Sequence, residues 1–103
     1  MKRFPAHAAP ARPERPSTAL LHDTPDVRVV AFHLQAGQEV KPHRSPSTVL
    51  LQVVEGEGEF SGADGVVHLS AGESVVYERN EMHGIRALDV PLRFHAIITP
   101  RPS

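Results

Sequence analysis

From Ser17 onward the chain is a succession of short apolar runs separated by Gly, Pro, Asp and Asn. Runs of roughly four to eight residues between turn formers predict an all-β sandwich or barrel, and no apolar stripe of helical period competes with them. Strands are expected near residues 27–35, 47–55, 57–61, 66–69, 73–78, 82–88 and 91–99, with a possible further one at Ala19–His22. The Asp64-Gly65 pair has the chemistry of a hairpin turn that needs positive φ. Alternation then assigns faces, since successive side chains point to opposite sides of a strand. His83, Ile85 and Ala87 share one face, and small apolar neighbours put that imidazole on the inward side. Val49, Leu51 and Val53 also share a face, but the reverse side carries Leu50 and Val54, so this strand is largely apolar on both sides. Such a strand is covered twice. In a small barrel the expected second cover is another copy of the chain, which makes a homodimer the expected assembly.

The first sixteen residues read differently. Pro5, Pro10, Pro13 and Pro16 interrupt a run of alanines and basic residues, and proline lacks the donor that a helix or a sheet ladder needs. Residues 1–16 are therefore expected to be a disordered or loosely draped tail, and residues 17–103 a single domain. Lys2, Arg3, Arg12 and Arg15 against Glu14 give the tail a net charge of +3, so the remainder carries −4 of the total of −1. That balance argues against nucleic acid as a general partner. No apolar run approaches the length of a membrane span and no leader of the secretory type is legible, so a cytoplasmic protein without membrane contact is expected. The absence of cysteine removes disulfides, thiolate catalysis and sulfur-ligated metals together. Any transition-metal site has to be built from the seven histidines and the carboxylates.

Two of those histidines stand in a two-part pattern. The first part holds Gly37, His43, Ser45, Val49 and Gly56; the second holds Gly72, Glu78, Asn80, His83 and Ala87. Together they resemble the two motifs of the cupins, in which the first reads glycine, His-x-His, glutamate, glycine and the second reads glycine, Pro-x-Gly, histidine, asparagine. The glycines and one histidine of each motif are in register. Ser45 stands at the second-histidine position, Val49 at the glutamate, Glu78 and Asn80 at the proline and glycine, and Ala87 at the final asparagine. The resemblance spans residues 26–99 and implies a double-stranded β-helix, the cupin or jelly-roll barrel, with His43 and His83 converging near one mouth. Small cupins commonly pair, in line with the dimer expected from the pattern.

Three readings of the histidine pair follow. A divalent transition metal (zinc, nickel, iron or copper) would take both imidazoles, with a third ligand drawn from outside the motif among His33, Glu39, His68, Glu78 and His95, and would make the chain a metal-dependent enzyme of dioxygenase or isomerase type. Without metal, the histidines would bind the polar group of a small organic ligand, with Ser45, Val49, Leu51, Val53, Ile85 and Ala87 lining the pocket. In the third, they satisfy one another or a water inside the barrel. A small-molecule-binding cupin is the reading adopted, with His43 and His83 as the metal candidates. Ser45 and Ser47 lack the glycine-framed elbow of a nucleophile, while Tyr77 and Glu78 are candidates for a general acid or base.

Overall fold

The computed structural model describes residues 1–102, which form nine strands: β1 (Ser17–Asp23), β2 (Arg28–Leu34), β3 (Glu39–His43), β4 (Thr48–Glu55), β5 (Glu57–Gly62), β6 (Gly65–Ser70), β7 (Ser74–Tyr77), β8 (His83–Ala87) and β9 (Leu92–Thr99). They build two antiparallel sheets, one in the order β1-β2-β9-β4-β7 and the other β3-β8-β5-β6. This is the double-stranded β-helix expected from the motifs. The two sheets enclose one core. Val49, Leu51 and Val53 from β4, Leu92, Phe94 and Ala96 from β9, and Ile85 and Ala87 from β8 all turn inward, as alternation requires. Phe94 is its centre, stacked on Phe32 with centroids 4.7 Å apart and meeting Phe60 edge-on at 5.9 Å.

β3 was not expected from the pattern. Its five residues include Pro42 and are exposed except for the half-buried Val40, so they show no apolar alternation. The strand exists because it is an edge, paired only with β8, where a proline costs no ladder hydrogen bond on its outer side. β1 extends the expected run at 19–22 in both directions and forms the opposite kind of edge, beside β2. Between β4 and β5, Gly56 takes φ +79°, and a Cβ there would collide with the Pro91 carbonyl oxygen, so only glycine fits this crossing of the chain.

Residues 1–16, expected as a disordered or loosely draped tail, form no regular structure before β1 and lie along the outer face of the five-stranded sheet. Ala9 is buried against Leu21 and Ala31. Arg93 Nη1 donates to the Ala9 carbonyl at 2.9 Å, His95 Nε2 to the Ala6 carbonyl at 3.1 Å, and Gln38 Nε2 to the Arg12 carbonyl at 3.0 Å. The tail thus supplies part of the outer cover that β2 and β9 need. Val76 on β7, further along the same face, stays exposed.

Candidate functional site

The two motif histidines are direct partners. β3 and β8 pair so that His43 lies opposite His83, on neighbouring strands of one sheet, with ring centroids 4.3 Å apart and planes inclined by 58°. Both rings are tied in the same way. His43 Nδ1 lies 3.1 Å from the Lys41 carbonyl and His83 Nδ1 lies 3.0 Å from the Glu81 carbonyl, each two residues back in the chain. A carbonyl only accepts, so each Nδ1 carries a hydrogen, and Nε2 keeps its lone pair wherever the ring is neutral. His83 is buried and His43 is exposed at the rim.

His83 is held from behind as well. The Tyr77 ring stacks on it at 4.5 Å and 20°. Glu81, whose carbonyl takes the His83 hydrogen, is itself fixed by two backbone donors, Ala63 N and Glu78 N, each 2.9 Å from its carboxylate. Those bonds hold the Glu81 carboxyl below its ordinary range. Burial lowers the His83 pKa, and the neighbouring His43 pushes the same way, so the His83 ring is neutral at pH 7. The Tyr77 hydroxyl is buried without a hydrogen-bond partner. Burial and the charges of Glu81 and Asp64 push it up to about 12, so Tyr77 keeps its proton and serves the site as a ring rather than as a base.

The turn before β8 is joined to the β3–β4 connection. Asn80, at φ 65°, donates its backbone N–H to the Ser45 carbonyl at 2.7 Å. Asparagine tolerates this left-handed conformation better than other residues with a side chain, which explains how it replaces the glycine of the motif. Ser45 Oγ in turn accepts from Ser47 N at 3.2 Å, and the buried Ser47 hydroxyl donates to the Pro100 carbonyl.

Below the histidines lies a cavity of about 280 Å³ between the sheets. Ser45, Val49, Leu51 and Ile85 line it with His43 and His83. Val53 and Ala87 do not line it. They sit in the packed core with Leu34, Phe60, Leu69 and Leu92, because a shared strand face fixes direction but not depth, and the barrel is filled at that end. The sequence reading missed Val30, Phe32 and Val40 as wall residues. β2 is apolar on both sides, its outer face being covered by the tail, so alternation does not choose a face for Val30 and Phe32, and Val40 lies on β3, which has no apolar alternation. Arg44 lies on the β3–β4 connection and Pro102 follows β9, and neither segment has periodicity.

None of the proposed third metal ligands reaches the pair. His33 and His95 face outward beneath the tail, His68 reaches Glu57 at 3.3 Å on the exposed side, Glu39 lies opposite Arg86 on the outer face of its sheet, and Glu78 is exposed on the turn after β7. Among the described residues no group of three or more His, Cys, Asp or Glu side chains is placed to hold an ion. A catalytic metal generally takes three protein ligands and keeps one position open. Two imidazoles, one serine and a valine do not form that set, so the residues do not fit the metal centre that the motifs would otherwise imply.

Comparison with known proteins agrees with this architecture. The sequence pattern described as the cupin domain matches residues 30–98. An RmlC-like cupin protein from Desulfovibrio desulfuricans is 30% identical, with 97% of each chain covered and a TM-score of 0.86. An uncharacterized conserved protein with a double-stranded β-helix domain from Klebsiella pneumoniae is 26% identical over 97% of this chain and 90% of that one, with a TM-score of 0.89. KdgF from Halomonas sp. is 24% identical over 93% and 90%, with a TM-score of 0.83, and shows likeness of fold. Among proteins of curated function no relative is found. No helix among the described residues is long and apolar enough to cross a membrane.

Proposed function

The chain belongs to the cupin family, and on that premise we propose that it is a small-molecule-binding protein whose ligand sits in the barrel against His43 and His83. Membership alone does not choose an activity. The observation that carries the reading is the cavity itself: about 280 Å³, walled by aliphatic and aromatic side chains, with His43, Arg44, Ser45 and His83 as its polar lining. Apolar walls with a few convergent polar atoms are the usual make-up of a ligand site.

The binding reading is tested with 2-(2-naphthyl)ethanol, an apolar body with one hydroxyl, followed by its fluorescence. The protein contains no tryptophan and one tyrosine, so its own emission interferes little. Saturable binding is expected in the native chain. Ala96→Leu, which places three extra carbons in the cavity wall, is expected to abolish it while the far-ultraviolet spectrum stays native. Binding that survives the filled cavity would place the ligand elsewhere.

We further propose a cytoplasmic homodimer. The exposed Val76, with the half-buried Leu50 opposite it in the β4–β7 pairing, offers the apolar strip for a second copy. Light scattering is expected to give twice the chain mass, and Val76→Lys to return it to that of one chain.

A further inference from the structure

We infer that the ligand is a hydroxy acid with an apolar body: a single carboxylate held by Arg44 at the mouth, a hydroxyl beside it on the histidine nitrogens, and a hydrocarbon part in the cavity. The inference rests on the binding reading above and specifies its chemistry. Three observations lead to it. Among the described residues no Asp or Glu lines the cavity, and Arg44 is the only Lys or Arg there. Arg28, Arg86, Arg93 and Arg101 each reach a carboxylate, whereas Arg44 makes no ion pair among the described residues. A guanidinium at the edge of an apolar cavity favours an anion, and its fork matches a carboxylate.

The histidines restrict what stands next to that anion. With its Nδ1 hydrogen given to the Glu81 carbonyl, the neutral His83 ring offers an Nε2 lone pair that accepts and cannot donate. A carboxylate oxygen against His83 would meet lone pair with lone pair. A hydroxyl would donate to it. The acid therefore belongs at Arg44 and the hydroxyl at the histidines, and because Arg44 follows His43 directly in the chain, the two groups belong at the same end of the ligand. The cavity sets the size of the rest. An apolar cavity of about 150 Å³ takes up benzene, so by proportion this one takes roughly eleven non-hydrogen atoms, the size of a naphthylmethyl group.

Three probes separate these contributions: 2-hydroxy-3-(2-naphthyl)propanoate, its methyl ester, and 3-(2-naphthyl)propanoate, which lacks the hydroxyl. The native protein is expected to bind the hydroxy acid about tenfold or more tightly than the ester, because the ester removes a charge-assisted hydrogen bond, and about fivefold more tightly than the deoxy acid. Arg44→Gln is expected to bring acid and ester to the same affinity, with Arg44→Lys keeping part of the preference. Arg44 is exposed, so neither change threatens the fold. Equal binding of acid and ester by the native protein, or a preference that persists in Arg44→Gln, overturns the carboxylate assignment. Equal binding of the two acids overturns the hydroxyl. If the neutral naphthylethanol binds but acids gain nothing, this inference fails and the binding reading stands. If no naphthyl compound binds, both fail.

Discussion

Tyr77→Phe is expected to stabilise the protein. The Tyr77 hydroxyl is sealed from solvent and has no hydrogen-bond partner, while its ring stacks on His83 at 4.5 Å. Removing one oxygen keeps the stack and the packing against the core, and it relieves the desolvation cost of an unsatisfied group, which is about 1–3 kcal/mol. Because tyrosine's hydroxyl is also partly desolvated in compact denatured chains, the net gain is taken as about 1 kcal/mol. With a urea m-value of about 1.5 kcal/mol/M for a chain of this size, the midpoint should rise by about 0.7 M with the slope unchanged. The thermal midpoint should rise by about 4–8 °C. A fall in either midpoint at constant slope would mean that the hydroxyl is satisfied in the native protein, and the account of Tyr77 as an apolar backing for His83 would be refuted. Tyr77→Leu provides the contrast, since it removes the stack and should destabilise.

Further consequences are open to measurement. Burial lowers the pKa values of His83 and His33 from the ordinary 6.5, so the unfolded chain takes up protons first and stability is lost as pH falls below 6.5 towards the folded values; urea unfolding at pH 7.5 and 5.5 should show the lower value at 5.5, and a rise there would contradict it. The depressed carboxyls of Asp23 and Glu81 act in a separate, more acidic window, their stabilisation present above the ordinary carboxylate range and lost as pH falls through it. Deleting residues 1–16 uncovers Ala31 and Leu21 and strips the acceptors from Arg93 and His95, at a cost of about 2 kcal/mol in denaturant unfolding; an unchanged midpoint would show that the tail is not docked. Since Ser45 and Val49 face the cavity beside both histidines, Ser45→His with Val49→Glu should create a zinc site absent from the native chain and lower the stability of the metal-free variant; calorimetric titration that finds no gain in zinc affinity would place the motif alignment out of register.

Much of the barrel was legible because β4, β8 and β9 each carry their inward residues at strict alternation, and because His43 and His83 kept their motif positions. The dependence on periodicity also explains what was missed. β3 has no apolar rhythm to read, since an edge strand bearing Pro42 is defined by its partner β8 and not by its own side chains. Val53 and Ala87 were placed at the cavity because they share faces with Val49 and Ile85, yet successive residues advance about 3.3 Å, enough to carry a position from the open end into the filled one. Val30 and Phe32 escaped because the tail makes both sides of β2 apolar. Arg44, which sets the charge at the mouth, lies on a connection where sequence pattern carries no direction.

The most direct test of the account is the nitrogen spectrum of the two histidines, recorded by long-range proton–nitrogen correlation before and after adding 2-(2-naphthyl)ethanol. Both rings are expected to be Nδ1-protonated in the free protein, and the Nε2 resonances of His43 and His83 are expected to move together as the cavity fills, ahead of those of His22 and His68. An Nε2-protonated ring at either position, or Nε2 resonances that stay fixed while the probe binds, would contradict a ligand site built on these two nitrogens.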